Sequence, residues 1–188
     1  DNILRVTAED RGKGLFKERQ EDGYDAIMTN EKDVVLVGFS ADCVLIYFYD
    51  KVKNAIAIAH SGWRGTVLGI GGKVVKRMKE EFGSNPEDIV CGIAPAIGVD
   101  HFQVDIPVVT AFRQAYDWAD KFIYPDKNMA ERWFIDLHSI NEEILVNAGI
   151  KRENIENSRI CTQCDPDRFF SHRVMGAKRG TLAGFMSL

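Results

Sequence analysis

The chain has 188 residues, 45% hydrophobic and 28% charged, with a formal net charge of −4 and a pI near 5.6. That size suits one globular domain over residues 1–188 with a substantial core. An acidic balance without a basic stripe argues against a nucleic-acid partner, and no apolar run approaches a membrane span. Four scattered cysteines are too few for a disulfide framework and point to a reducing cytoplasm.

In chain order, residues 3–7 predict a first strand, and the polar stretch Glu9 to Asp22, broken by Gly12 and Gly14, predicts an exposed loop. Strands are predicted at 34–39, 43–49 and 54–60. The last two flank Asp50-Lys51-Val52-Lys53-Asn54, a polar stretch that folds them into a hairpin. A turn centred near Val52 sets Cys43 beside His60 at the open end. The apolar positions Val67, Leu68, Ile70, Val74, Val75, Met78 and Phe82 recur at helical spacing and predict a helix over 65–82. A strand at 88–93, helices at 106–117 (Pro107 in its first turn) and 137–148, and strands at 159–162 and 181–187 follow. Strands outnumber helices and one pair is antiparallel, which predicts an α+β domain with mixed β-sheets flanked by helices.

A thiol and an imidazole on neighbouring strands support two chemistries. They ligate zinc or copper, or the imidazole activates the thiol as a nucleophile; the third reading is plain packing of a small apolar Cys43. His60 opens Ser61-Gly62-Trp63-Arg64-Gly65. The helix start beyond it and the fork of Arg64 offer an anion site. Cys161-x-x-Cys164 lacks a second pair and reads as non-catalytic. His138 reads as an exposed or capping residue, Cys91 as core, and His101 receives no role.

Ser40-Ala41-Asp42-Cys43, Ala59-His60-Ser61-Gly62-Trp63-Arg64-Gly65 and Ile93-Ala94-Pro95-Ala96-Ile97-Gly98 resemble the signatures of the laccase-domain family of YfiH/YlmD-like proteins, long labelled polyphenol oxidase. The resemblance continues through Tyr24-Asp25-Ala26, Asp136-Leu137, Cys161-Thr162 and Phe169-Phe170-Ser171-His172-Arg173. It implies mixed sheets flanked by helices and a zinc-dependent enzyme acting on purine nucleosides. The activities implied are phosphorolysis of adenosine-, inosine- and guanosine-type nucleosides and methylthioadenosine, and deamination of adenosine.

The family holds its metal with two histidines and a cysteine. Cys43 and His60 match two of these, and the remaining histidine is expected just ahead of Asp1, in an N-terminal segment that this chain lacks. The resemblance further implies catalytic roles for Arg64 and Asp42, with Asp42 as acid/base or as the group that orients His60, and a substrate-pocket role for His172 and Arg173. Small-molecule nucleoside and phosphate are the implied partners. Two other readings are a thiol hydrolase of amide bonds, with Cys43 as nucleophile and His60 as base, and the older one of copper-dependent (Cu2+) phenol oxidation. The copper reading conflicts with a total of four histidines, since several coppers need many.

Overall fold

The computed structural model describes residues 2–18 and 23–188; the end of the predicted 9–22 loop lies outside the described residues. The first elements are β1 (Asn2–Arg5), β2 (Tyr24–Thr29), β3 (Leu36–Ser40), β4 (Val44–Asp50) and β5 (Ala55–Ser61). Then come α1 (Trp63–Val67), α2 (Ile70–Phe82), β6 (Ile89–Ile93), β7 (Gln103–Val104) and α3 (Ile106–Ala115). The chain continues with β8 (Ile123–Pro125), β9 (Trp133–Ile135), α4 (Leu137–Asn147), β10 (Ile155–Asn157), α5 (His172–Met175) and β11 (Leu182–Met186). The class is α+β, as the sequence predicts.

A six-stranded mixed sheet, ordered β1-β2-β5-β4-β6-β10, carries the core. Its central strand β5 reads Ala-Ile-Ala-Ile-Ala because its two faces meet different partners. Ala55, Ala57 and Ala59 share a cluster with Ile70, Val74, Val75 and Met78 of α2 and with Ile140, Ile144 and Leu145 of α4. Small side chains on that face let the helix axis approach the sheet. Ile56 and Ile58 face the other way, onto Leu45, Leu36, Val34 and Val6, where β3 and β11 form an antiparallel ribbon of their own. A third sheet, β7-β9-β8, lies apart from these.

The hairpin forms, but with the partner of His60 two residues from the predicted one. Leu45, not Cys43, pairs with His60, and Val44 pairs with Ser61. The loop sets this. Asp50 Oδ1 accepts the N–H groups of Val52 and Lys53 at 2.8 and 2.9 Å, and Asn54 takes a φ of +51°, so the turn centres beyond Val52. Five strands, β2, β7, β8, β9 and β10, escape the sequence reading. The predicted strand at 159–162 reduces to a single bridge between Ala96 and Cys161.

The predicted helix 65–82 is two helices. Leu68 is 51% exposed, and Gly69 sits at φ +69°, a left-handed conformation that costs most residues but not glycine. The carbonyl of Thr66 at the break accepts the Tyr116 hydroxyl at 2.6 Å. Inside the break, Ser61 Oγ, Thr66 Oγ1 and Asn141 form a buried polar knot, with Ser61 donating to Asn141 Oδ1 at 2.7 Å. It pins α1 to both β5 and α4. Gly69→Ala is expected to lower the unfolding free energy by about 1–2 kcal/mol. Leu68→Ala, one residue away but exposed, is expected to stay within about 0.5 kcal/mol; urea titrations of both variants check the contrast.

Candidate functional site

His60 is the penultimate residue of β5, and Cys43 lies one residue ahead of β4. Between them is Gly62, the residue opposite Cys43 where the ladder ends. A Cβ built on Gly62 would lie 3.1 Å from Cys43 Sγ and 3.4 Å from His60 Cε1. The sulfur and the imidazole therefore converge on one small space that any larger residue at 62 would fill. Burial pushes the Cys43 thiol up, reinforced by the Asp42 charge and opposed by Arg179. Burial lowers the His60 imidazole, opposed by the charge of Asp25. Without a cation the pair is a neutral thiol and a neutral imidazole. Both are soft or borderline donors that fit a transition metal, which would displace the thiol proton on binding.

Asp42 sits in the corner before Cys43 with φ +77°, a conformation Asp tolerates better than most residues. Its buried carboxylate accepts Thr162 Oγ1 at 2.6 Å, Ser171 Oγ at 3.1 Å and the Arg173 N–H at 2.7 Å. Its carbonyl accepts the Ile97 N–H at 2.9 Å. Among the described residues no hydrogen bond joins Asp42 to His60. The carboxylate acting on His60 is Asp25, on the strand β2 that pairs with β5, so it escaped with that strand.

Arg64 is exposed, its guanidinium 4.3 Å over the Trp63 ring. The helix it belongs to has five residues, so it lacks the long aligned dipole the sequence predicts. Trp63, Phe102, Arg132 and Arg173 help line a groove of about 440 Å³, which neither Cys43 nor His60 lines. The Arg173 guanidinium donates to the carbonyl of His101 at 2.8 Å and lies 5.8 Å from the Phe102 ring. His172 is exposed and accepts from Arg179 Nε at 3.2 Å. Arg179 thus faces both His172 and the Cys43 thiol, a role that no local motif announces.

His101, Cys161 and Cys164 come together, their donor atoms all within 4.8 Å of one another, as a group that could hold a metal ion. The sequence reading assigns His101 no role and reads Cys161-x-x-Cys164 as non-catalytic for want of a second pair; the fold closes the 60 residues that separate His101 from Cys161. His138, read as exposed or capping, is buried within α4 at 3% exposure, and its Nδ1 lies 3.0 Å from Asn157 Oδ1. The cap is Asp136, which accepts the Ser139 N–H.

Asp42→Ala removes an acceptor from three donors and puts alanine at a positive φ. Leaving buried donors unpaired costs about 1–3 kcal/mol each. The expected outcome is faster amide exchange around Thr162 and Arg173 than in the rest of the chain, with Asp42→Asn intermediate; hydrogen-exchange mass spectrometry reads it. Uniform exchange in Asp42→Ala would remove the carboxylate from this tethering role.

The whole chain, residues 1–188, matches the family described as Multi-copper polyphenol oxidoreductase laccase. It is 38% identical to purine nucleoside phosphorylase YlmD of Bacillus subtilis, over 100% of this chain and 67% of that protein. It is 33% identical to adenosine deaminase RL5 of an unknown prokaryotic organism, over 92% of this chain and 66% of that protein. The crystal structure of Bacillus licheniformis hypothetical protein YfiH superposes with a TM-score of 0.94 at 37% identity, covering 100% of this chain and 70% of that one. The chain spans about two thirds of the length of these relatives, and no helix among the described residues is long and apolar enough to cross a membrane. By sequence and by fold, the chain belongs to this laccase-like family, whose named members include nucleoside enzymes.

Proposed function

We propose that the chain carries the catalytic core of a cytoplasmic, zinc-dependent enzyme of purine nucleosides. Its reactions would be phosphorolysis of the N-glycosidic bond and deamination of adenosine, with methylthioadenosine among the substrates. The observation that carries the reading is the convergence of Cys43 Sγ and the His60 ring on the space at Gly62. The names of the relatives supply the substrate class. When bound by Cys43 and His60, zinc would supply a Lewis acid that polarises an oxygen or lowers the pKa of water.

The chain's own residues do the rest. The Trp63 and Phe102 rings suit a flat purine, and the groove's cationic wall, Arg132 and Arg173, suits an anion. Arg64, stacked on Trp63, adds a second planar fork for phosphate. In phosphorolysis a phosphate oxygen bonds to the ribose C1′ as the C–N bond breaks, and the base leaves with a proton. Asp25 holds the His60 ring by charge, as carboxylates commonly do behind a metal-binding imidazole. Asp42 acts as a positioning residue, fixing the corner before Cys43 and the backbone of Arg173, and His172 and Arg173 face the substrate.

Burial of the Cys43 thiol, which raises its pKa, disfavours the thiol-hydrolase reading, which needs a ready thiolate. In the intact protein, Cys43→Ser and His60→Ala are each expected to lose bound zinc and both activities together. Metal analysis alongside inosine-plus-phosphate and adenosine assays, before and after chelation, reads this. Activity that survives chelation, with a covalent adduct on Cys43 during turnover, would overturn the zinc reading.

Arg64→Ala is expected to raise the KM for phosphate by about 10-fold or more, the worth of a charged hydrogen-bond pair, with little change in unfolding. Lysine there should recover little, having no fork. An unchanged phosphate KM in Arg64→Ala would take this side chain out of the site.

A further inference from the structure

We propose that His101, Cys161 and Cys164 form a second metal site, selective for a zinc-type cation and separate from the Cys43–His60 pair. His101 Nδ1 lies 3.4 Å from Cys161 Sγ and 3.6 Å from Cys164 Sγ. Zinc–sulfur bonds of about 2.3 Å and zinc–nitrogen bonds of about 2.0–2.1 Å at the tetrahedral angle set nitrogen and sulfur about 3.5–3.6 Å apart. The two observed spacings fall within about 0.2 Å of that edge.

Hydrogen bonds, including one between Cys164 and Cys161, link these groups in the absence of a cation. A neutral Nδ1 has one lone pair or one N–H, so it serves one thiol, not two at near-equal distance. A cation at the centre satisfies all three donors at once. Each thiol gives its proton to solvent as it binds, and the two thiolates neutralise a divalent charge. The donor set of two sulfurs and one imidazole nitrogen favours zinc over magnesium or calcium, which want oxygen.

The backbone holds the ligands in place. Cys161 bridges to Ala96, with the Ala96 N–H donating to the Ile160 carbonyl and the Thr162 N–H to the Ala96 carbonyl. The Gly98 N–H donates to Cys161 Sγ at 3.2 Å, a bond that strengthens as the sulfur becomes a thiolate. Residue 98 has to be small, since a Cβ there would lie 2.9 Å from the Cys161 Cβ. The turn that follows, with the N–H groups of His101 and Phe102 on the Gly98 carbonyl, delivers His101. Cys164 is exposed, so the fourth position opens to solvent. The bound cation would staple the 98–102 turn to the 161–164 turn. Both are joined to the site already described, through Arg173 on the His101 carbonyl and through Thr162 on Asp42.

The test reads metal, so its outcome is independent of the nucleoside reading. The intact protein carrying Cys43→Ser, purified under reducing conditions, is titrated with Zn2+ and with Co2+. Cys91 is buried in the core, with its thiol pushed far up, so the thiolate-to-cobalt charge transfer that a further Cys164→Ser removes comes from Cys161 and Cys164. The expected result is roughly one tetrahedral cobalt or zinc per chain. Adding Cys164→Ser or His101→Ala should abolish it, while the further change His60→Ala leaves it intact. Should Cys43→Ser fold poorly, His60→Ala alone serves as the background, and Cys164→Ser should again remove that cation. A Cys43→Ser or His60→Ala protein that folds yet binds no metal would overturn the proposal. A Cys161–Cys164 disulfide persisting in reductant would do the same.

Discussion

The carboxylate of Asp42 is the constraint on which the rest of the site depends. A buried carboxylate is costly unless its lone pairs are taken, and here three donors from two distant stretches of chain take them. Thr162 brings the turn that follows Cys161, and Ser171 with the Arg173 N–H brings the start of α5. Asp42 also sets the direction of the backbone entering Cys43, because its positive φ turns the chain sharply between β3 and β4. One side chain thereby decides where two sulfurs and one arginine stand. Neither sulfur is held there by secondary structure, since Cys43 precedes its strand and Cys161 makes only an isolated bridge.

What the sequence disclosed follows the periodicity of its apolar residues. The hairpin of β4 and β5 and the helix α2 are legible because both are saturated with apolar side chains at a clear spacing. The register, with Leu45 rather than Cys43 opposite His60, was missed because it depends on the Asp50 side chain and on a positive φ at Asn54, and neither is an apolar signal. The break between α1 and α2 was hidden by Leu68, which keeps the helical spacing going while standing exposed; Gly69 was the one local sign. In β2, Asp25 interrupts the apolar run from the edge, so the strand that faces His60 with a carboxylate went unread. β10 has three residues and little apolar content, and only its parallel pairing with β6 defines it.

The site divides along the same line. Cys43 and His60 are 17 positions apart on one hairpin, so local reasoning reaches both. His101, Arg179 and Asp25 act on residues brought near by sheet order and by the return of the C-terminal segment. No spacing rule links His101 to Cys161; the link is the close packing of the Gly98 turn against the Cys161 backbone. An unremarkable histidine after a glycine turn acquires metal-site geometry only once that turn is folded.

The two soft-donor groups are not interchangeable, and the difference is electrostatic. Cys43 and His60 are half-buried, with the charges of Arg179 and Asp25 acting on them; a cation there would be less open to solvent than one beside Cys164. Cys164 is exposed, so a cation held by His101, Cys161 and Cys164 would exchange with solvent more freely and act mainly as a staple. Arg173 is the physical connection between the two, with its N–H on the Asp42 carboxylate, its guanidinium on the His101 carbonyl, and its side chain on the groove wall beside Trp63. One route by which a shift of either group reaches the groove runs through that residue, across the Asp42 carboxylate on its N–H and its guanidinium on the His101 carbonyl. Such a short contiguous path is the kind that carries coupling in a packed protein. It makes the orientation of Arg173, beside the direct contact of Phe102, a quantity through which the 98–102 turn influences what the groove can hold.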